Sequence, residues 1–231
     1  MPQVDAALPS LDDMRQRTVT DQVYDALYER VVDLTLKPGA KLSEAEVAAQ
    51  MGVSRQPVRD AFYRLSQLGF INIRPQRATI VTPISEVAIR QAFFIRLALE
   101  IACIRAATTR LTVDQHEALG DVIARQAAAV AADDRAAFHA LDDQFHHDIC
   151  AGAQLEFVWN LIKDNKGHMD RARWLTLSYN AENAMREHKS ILDGLQARDA
   201  EMATAEMTRH LTRIEETLAR LRAERPDFMG L

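Results

Sequence analysis

The stretch Val53-Ser-Arg-Gln-Pro-Val-Arg-Asp-Ala-Phe-Tyr-Arg-Leu65 predicts a helix with one apolar face and one arginine-bearing face. Ser54 is placed to cap its N-terminus, and Pro57 suits the first turn, where a missing N–H does no harm. The apolar residues at helical spacing, expected to face a core, are Val58, Ala61, Phe62 and Leu65. Arg55 and Arg59 are four residues apart and share the opposite face, where their guanidinium groups suit guanine and phosphate acceptors.

The residues before this helix predict a helix-turn-helix. Thr18 begins an amphipathic helix, and Lys37-Pro-Gly39 breaks it. Its apolar stripe is Val23, Leu27, Val31 and Leu34. Ser43-Glu-Ala-Glu46 has the form of a capping box that starts a short second helix, and Gly52 suits its left-handed C-cap. The residues of this second helix expected to point inward are Val47, Ala48 and Met51.

A short basic hairpin follows. Phe70-Ile-Asn-Ile73 and Thr79-Ile-Val81 alternate around Arg74-Pro-Gln-Arg77, which predicts a wing with a basic tip. The whole chain has a net charge of −5, but residues 53–83 hold five arginines against one acid, Asp60. A basic patch in an acidic protein indicates an anion-binding surface, with DNA as the natural partner. For the arginine pair alone, a solvated surface face is the alternative.

These motifs carry a family resemblance. Leu36-Lys-Pro-Gly-Ala-Lys-Leu-Ser-Glu-Ala-Glu-Val-Ala48, with the following Gly52-Val-Ser-Arg-Gln-Pro-Val-Arg-Asp-Ala-Phe62, closely resembles the winged-helix domain of GntR-family transcription regulators over residues 18–82. The DNA-binding residues implied by the resemblance are Ser54, Arg55, Gln56, Arg59 and Arg77. Gln56 suits pairing with adenine. The chain departs from the family at Ala45, often an arginine, and at Ala78, usually a glycine at the wing tip.

Length and composition set the outer bounds. A chain of 231 residues, 48% of them apolar, can form two compact domains. Its apolar runs fall short of the roughly 18 residues of a membrane span, and its N-terminus has no signal-peptide pattern, so we expect a cytoplasmic protein without a membrane partner. Cys103 and Cys150 are expected to be buried and reduced. We predict a flexible arm over 1–17, a DNA-binding domain over 18–83 and a helical effector-binding and dimerisation domain over 84–231.

The second half of the chain has a purely helical pattern. Ser85 begins a long helix, and Thr112-Val-Asp-Gln115 is a capping box that starts the next. The apolar stripe of the long helix is Phe94, Leu97, Ala98, Ile101 and Ile104. Further helices are predicted near 134–152, 155–176, 181–197 and 199–223. The predicted fold class is therefore mainly α: an N-terminal winged helix-turn-helix with a small β-hairpin wing, and a C-terminal antiparallel six-helix bundle.

Histidines indicate a metal site in this bundle. Asp142 and His146 are four residues apart on one helix, and His188 and His210 lie on two successive helices. Antiparallel packing can bring them together, and an aspartate with three imidazoles suits a divalent transition metal. The residues alone leave open the alternative of ordinary core or surface histidines, which is also our interpretation of His116, His139 and His147.

A second resemblance covers residues 84–223. Asp142-Asp-Gln-Phe-His146 resembles a motif of the FadR-type C-terminal ligand domain (FCD), and Glu187-His-Lys-Ser-Ile-Leu192 with Met207-Thr-Arg-His-Leu211 resembles its C-terminal signature. The metal ligands implied by the resemblance are Asp142, His146, His188 and His210. The metal is a divalent transition ion, with zinc favoured and nickel, manganese and iron as alternatives. In metal-bearing members the metal helps to bind a small carboxylate effector.

A carboxylate effector needs a cationic partner. Arg96 and Arg173 are candidates for a bidentate clamp, Glu100 can hold Arg96 in place, and His168 can add a hydrogen bond. Arginines that extend to solvent are the alternative.

Three functions fit these patterns. We favour a ligand-responsive DNA-binding transcription regulator that acts as a repressor. It binds operator DNA as a homodimer and senses a small carboxylic or sugar acid. A metal-dependent hydrolase is the first alternative, although the chain has no Glu-x-x-His pair of the kind that di-iron bundles require. A DNA-binding dimer with a purely structural bundle is the second. We therefore expect no enzymatic activity.

Overall fold

The computed structural model describes residues 17–74 and 78–230, and its contacts divide the chain into two compact units. The first unit comprises the described residues up to Val31 together with Gly39–Thr82, and the second comprises Val32–Pro38 and the chain from Pro83 onward. Almost all of the predicted N-terminal arm, and Arg77 of the wing, lie outside the described residues. Within these ranges, no helix is long and apolar enough to cross a membrane.

The first unit contains three helices and a small sheet. In chain order its elements are α1 (Val19–Val32), β1 (Lys41–Leu42), α2 (Glu44–Met51), α3 (Arg55–Gln67), β2 (Ile71–Asn72) and β3 (Thr79–Val81). The predicted hairpin is confirmed, because Ile71 on β2 pairs with Val81 on β3 in antiparallel register. Strand β1 was not predicted and adds to the other side of β3, where Lys41 pairs with Ile80.

Local chemistry explains where these helices end. Helix α1 ends five residues before Lys37, because Leu34 has a φ of +63°, which does not continue a right-handed helix. Gly52 ends α2 with a φ of +66°, as predicted for a left-handed C-cap. Met51 was predicted to point inward but is 37% exposed. The predicted core face of α3 is confirmed, and its buried residues are Val58, Ala61, Phe62 and Leu65.

The second unit is helical, as predicted, but has seven helices in its described part instead of six. They are α4 (Glu86–Arg110), α5 (Val113–Ala131), α6 (Arg135–Gly152), α7 (Glu156–Asn165), α8 (Gly167–Gln196), α9 (Ala200–Thr212) and α10 (Ile214–Glu224), followed by a short 3-10 helix, Pro226–Phe228. The predicted loop near residues 177–180 is absent, because Leu-Ser-Tyr-Asn contains no helix breaker. The chain breaks instead at Lys166 and near Arg213.

The buried face of α4 also differs from the prediction. Phe94 is 73% exposed, while Arg96 and Glu100 are 3% and 2% exposed. The residues of α4 that are buried are Ile89, Ala92, Arg96, Glu100, Cys103, Ile104, Ala107 and Thr108. The helix therefore carries a buried ion pair inside its core stripe. Cys103 and Cys150 are both buried and neither forms a disulfide, as expected from the sequence.

Candidate metal centre and nucleic-acid interface

Helices α6, α8 and α9 bring four potential metal ligands together in the second unit. Asp142 and His146 lie one turn apart on α6, His188 lies on α8 and His210 on α9. One ligand atom from each of the four lies within 4.8 Å of the others. Asp142, His146 and His188 are at most 1% exposed. The residues named from the sequence as metal ligands therefore form one buried cluster.

Each imidazole has a side-chain acceptor behind it. The three contacts are His146 Nδ1 to Glu100 Oε2 at 2.5 Å, His188 Nδ1 to Gln126 Oε1 at 3.0 Å, and His210 Nδ1 to Glu187 Oε2 at 3.0 Å. An ionised carboxylate and an amide oxygen can only accept, so in the two hydrogen bonds of this set the Nδ1 atoms of His188 and His210 donate. This is the support that metal-binding histidines use to fix ring orientation and tautomer.

The three Nε2 atoms face the interior of the cluster. The Nε2 atoms of His146 and His210 are 3.2 Å apart. The Nε2 of His188 lies 3.7 Å from Asp142 Oδ1 and has no hydrogen-bond partner among the described residues. The contact between His146 and His210 is at hydrogen-bonding distance, so a hydrogen or a metal cation between these ring nitrogens removes the repulsion between their lone pairs. Three nitrogens and a carboxylate are a suitable ligand set for a divalent transition metal, and the residues fit such an ion.

Protonation states agree with this fit. Burial lowers the pKa of His188 well below its usual value and also lowers the pKa of His210, so both imidazoles are neutral near pH 7. Burial raises the pKa of Asp142, but the opposing contacts, with the positive charge of Arg173 the largest, hold that pKa well below its usual value. Neutral imidazole and ionised carboxylate are the forms that bind metal.

A second acidic group lies nearby but already has its own cation. His139, Asp143 and Asp170 place ligand atoms within 4.8 Å of one another. The Nζ of Lys166 lies 2.8 Å from Asp143 Oδ2 and 2.5 Å from Asp170 Oδ2, and Lys166 is 2% exposed. Burial lowers the pKa of Lys166, but the two carboxylates outweigh burial and raise it. The ammonium group therefore stays charged and occupies the position of a cation.

A cavity of about 550 Å³, counting its open mouth, adjoins the metal-ligand cluster. His210, Arg96 and Arg173 all line it, so two of the three predicted effector-binding residues face the same space. Neither arginine extends to bulk solvent: Arg96 Nε contacts Glu100 Oε1 at 2.6 Å, and Arg173 Nη2 contacts Asp142 Oδ2 at 2.5 Å. This contradicts the alternative of solvated arginines.

The cavity has further polar residues that the sequence did not reveal. Arg213 lines it and contacts Glu187, the acceptor behind His210. Arg213 lies three residues after His210, so a search for cations one turn from each ligand would have found it. Glu187 directly precedes His188 along the chain, but its contact with His210 depends on the packing of α8 against α9.

His168 differs from its predicted position. It is not among the cavity-lining residues, and its Nδ1 accepts a hydrogen bond from the Ser85 backbone N–H at 3.5 Å. Three residues later, Arg171 Nη1 donates to the Pro83 carbonyl at 3.3 Å. The first turns of α8 therefore hold the segment that precedes α4. The predicted hydrogen bond from His168 to the effector has no geometric support.

Helix α3 presents the predicted polar face in the first unit. The side chains of Arg55 and Arg59 are 63% and 57% exposed, and their Nη2 atoms lie 3.5 and 3.3 Å from one oxygen of Glu44. Gln56 Nε2 donates to Asp60 Oδ1 at 2.8 Å. These polar groups are accessible, and each has an intramolecular partner that a nucleic acid can replace.

The remaining predicted DNA-binding residues have different outcomes. Ser54 occupies the N-cap position of α3, but its side chain makes no capping hydrogen bond, which corrects the predicted cap. Arg77 lies outside the described residues, whereas its neighbour Ala78 is exposed. Arg64 contacts Asp21 Oδ1 at 2.8 Å and stacks over the Tyr24 ring, so one arginine of the basic patch serves the fold of its own unit.

Family models match both halves of the chain. The model for "Bacterial regulatory proteins, gntR family" matches residues 19–81, and the model for "FCD domain" matches residues 91–213. The chain is 36% identical over 214 residues to the "HTH-type transcriptional repressor RspR" of Escherichia coli K12, covering 92% of this chain and 94% of the relative. It is 30% identical to the "Probable D-xylose utilization operon transcriptional repressor" of Paenarthrobacter nicotinovorans, covering 86% and 88% respectively.

Solved structures agree with the fold. The structure of E. coli McbR/YncC has a TM-score of 0.77 with 20% identity, and the match covers 90% of this chain and all of that one. The relatives and family models describe transcription regulators and not enzymes, which excludes the hydrolase alternative. The chain therefore belongs to the GntR family of bacterial transcription regulators and carries an FCD domain after its winged helix-turn-helix domain.

Proposed function

We propose that this protein is a repressor that responds to a small organic acid at a metal-assisted site in its helical unit. The observation that carries the proposal is the convergence of three Nε2 atoms on Asp142, each imidazole fixed from behind, beside a cavity lined by arginines. The Paenarthrobacter relative is named for a D-xylose utilization operon, and sugar acids are therefore included among the effectors to be tested. A purely structural bundle has no need for such a cluster.

The residues divide the work of effector binding. A divalent metal held by Asp142, His146, His188 and His210 would supply a Lewis acid for an effector oxygen, with zinc favoured and nickel, manganese and iron as alternatives. Arg173 and Arg213 supply the planar, multi-donor groups that suit a carboxylate. Arg96 lines the same cavity and is held in place by Glu100.

DNA binding is assigned to residues 18–83, and effector binding and dimerisation to residues 84–231. In this proposal Arg55 and Arg59 contact bases and backbone, Ser54 and Gln56 lie at the same helix start, and Arg77 reaches a phosphate or the groove. Such a regulator acts in the cytoplasm, where bacterial operator DNA lies.

A homodimer would place two recognition helices on a two-fold operator. Val87 and Phe94 on α4 support this, since they are 67% and 73% exposed and lie two turns apart on one side of the helix. In a two-fold interface, a second copy of the chain would cover both side chains.

Helix α8 is the proposed link between the effector and the DNA-binding half. It carries Arg173 in the cavity wall, and His168 and Arg171 on the segment before α4. That segment continues directly from β3. A change in the position of α8 on effector binding would therefore act on the chain that leads to the wing.

The sensing function is tested by thermal unfolding of metal-loaded and chelated protein with a panel of small carboxylic and sugar acids. A ligand at 100 times its dissociation constant adds about 2.7 kcal/mol to the free energy of unfolding. We expect a metal-dependent shift that Asp142→Ala and His188→Ala abolish. Asp121→Ala, an exposed carboxylate of α5 outside the ligand set and the cavity lining, is the matched control. No shift with any acid and no effect of chelation would contradict the proposal.

The DNA-binding assignment is tested with Arg59→Ala on operator fragments selected by the wild-type protein from random-sequence DNA. Loss of a base-reading arginine should weaken binding by about 1–3 kcal/mol and relax sequence preference. Arg105→Ala removes an exposed arginine of the helical unit and serves as the charge control. Unchanged affinity and preference in Arg59→Ala would remove Arg59 from the interface.

A further inference from the structure

Arg173 lies between a metal ligand and the effector cavity. Its Nη2 is 2.5 Å from Asp142 Oδ2, and its Nη1 is 3.8 Å from Asp170 Oδ1. The Arg173 side chain is 15% exposed and lines the cavity, whereas the Asp142 side chain is fully buried. The guanidinium therefore contacts Oδ2 of the carboxylate whose other oxygen, Oδ1, lies 3.7 Å from the Nε2 of His188 in the ligand cluster.

We propose that Arg173 is an exchangeable counter-ion. It neutralises Asp142 in competition with a divalent metal, and when the metal takes Asp142 the guanidinium turns to a carboxylate in the cavity. The inference rests on the proposed metal-assisted function and adds an order of events to it. Metal binds first, and the acid then binds to the arginine that the metal has displaced.

The buried charge of Asp142 needs one cation beside it, but Arg173 and a divalent metal on the same carboxylate repel each other. A buried carboxylate without a cation is strongly unfavourable, so Arg173 compensates Asp142 whenever no other cation does. A doubly charged ion on the same carboxylate repels the guanidinium and shares its partner. The contact between Arg173 and Asp142 is therefore weakened by metal, and metal binding is opposed by Arg173.

The displaced guanidinium has few other acceptors. Asp170 is the nearest further carboxylate, but Lys166 already contacts it at 2.5 Å and His139 Nε2 lies 3.7 Å from it. The cavity is the remaining side of Arg173. A planar guanidinium binds carboxylate with two parallel hydrogen bonds, so an organic acid there completes the exchange.

Competition with the metal and simple support of the site predict opposite changes in metal affinity when Arg173 is removed. If Arg173 only positioned Asp142, its loss would weaken metal binding. If it competes with the metal, its loss strengthens metal binding. The other two cavity arginines contact Glu100 and Glu187, which lie behind the histidines and are outside the ligand set. They therefore do not compete with a metal for the charge of Asp142.

The experiment measures binding of Co²⁺ alone by its visible absorbance, with Zn²⁺ competition, in the full-length chain. We expect Arg173→Gln to bind metal more tightly by roughly 5- to 150-fold, the usual range of coupling between sites. Arg173→Lys keeps the charge and should bind like the wild type. Arg220→Gln, whose partners Glu224 and Tyr179 lie outside the cavity lining, should also leave binding unchanged.

The outcomes separate this inference from the proposed function. A wild-type protein that binds no metal contradicts the proposed function itself. A wild-type protein that binds metal, with a folded Arg173→Gln variant that binds equally or more weakly, overturns only the exchange. A crystal structure with metal is the second measurement, because an Arg173–Asp142 contact that persists beside a bound ion would also overturn it.

Discussion

Arginine–carboxylate contacts occur in both units, but they differ in exposure. On α3, Arg55 and Arg59 are more than half exposed and share one oxygen of Glu44. In the helical unit, Arg173 contacts an Asp142 side chain that has no exposure at all. In water an ion pair at 4 Å gains only about 1 kcal/mol, so a phosphate can displace Glu44 easily. A buried carboxylate is strongly unfavourable in its ionised form without a cation, so we expect one cation to be replaced there by another.

The contacts of Lys166 with Asp143 and Asp170 are a third case, because no ligand reaches them. Its ammonium lies between Asp143 and Asp170, and the group is buried away from the cavity lining. The three contacts therefore differ in what can reach them: solvent and DNA at Glu44, a metal and an acid at Asp142, and only the protein itself at Asp170. The same charge chemistry serves recognition, exchange and stability in these three places.

The largest expected effect is loss of the inaccessible cation. Lys166→Met leaves Asp143 and Asp170 without their ammonium partner, and breaking a buried pair in this way costs about 3–5 kcal/mol. Urea unfolding of the variant should show this loss, while Arg55→Met on the exposed face should leave the unfolding free energy nearly unchanged. Similar stability in the two variants would mean that burial does not separate these contacts.

The dependence of stability on pH should identify the same pair. Burial raises the pKa of Asp170, but Lys166 and His139 outweigh burial and hold that pKa below its usual value of 3.8. The folded state therefore gains stability from ionised Asp170 above about pH 4, and loses it as the pH falls from there towards the lower folded-state pKa.

Asp170→Asn should thus be less stable than the wild type at pH 6, by about 1.4 kcal/mol for each pH unit of the shift. The difference should narrow below pH 4, and urea unfolding across this range measures it. Asp121→Asn, an exposed change on α5, is the control. A difference between Asp170→Asn and wild type that stays constant with pH would show that Asp170 acts through packing and not through its charge.

The DNA-binding unit, where the exposed arginines lie, was also easier to predict from sequence than the helical unit. The apolar spine of α3 and the alternation of the wing are local patterns, and the structure confirms both. Strand β1 was missed because Lys41–Leu42 has no local strand signal and pairs with a residue 39 positions away. Such pairing follows from tertiary packing and not from periodicity.

The helical unit buries charged side chains, whereas prediction from apolar periodicity assumes that charged residues face solvent. The stripe predicted for α4 contained only apolar residues and placed Phe94 inside, whereas Phe94 is exposed and Arg96 is buried. The sequence did predict the contact between Arg96 and Glu100. Arg96 is buried because Glu100, one turn away, compensates it. The four histidine and aspartate ligands could be named from motifs, but Gln126 and Glu187 could not, since their contacts depend on how α5, α8 and α9 pack.

The smallest expected effect tests the exposed side of the comparison. Glu44→Gln removes the carboxylate that Arg55 and Arg59 share, so both guanidinium groups become more available to phosphate. DNA affinity should rise by no more than about 1 kcal/mol, and more for random than for operator DNA, because the gain is mainly electrostatic. It should disappear at high salt. Fluorescence anisotropy with both DNAs at two salt concentrations measures this.

Glu46→Gln is the matched control for Glu44→Gln, since it lies on the same short helix and removes the same charge from an exposed position. An equal gain in both variants would mean that net charge alone sets the affinity. Weaker operator binding in Glu44→Gln would mean that Glu44 orients the two arginines for the major groove. In that case the contact of Glu44 with Arg55 and Arg59 would resemble the buried contacts. Its carboxylate would be needed for DNA binding and would not simply be displaced by a phosphate.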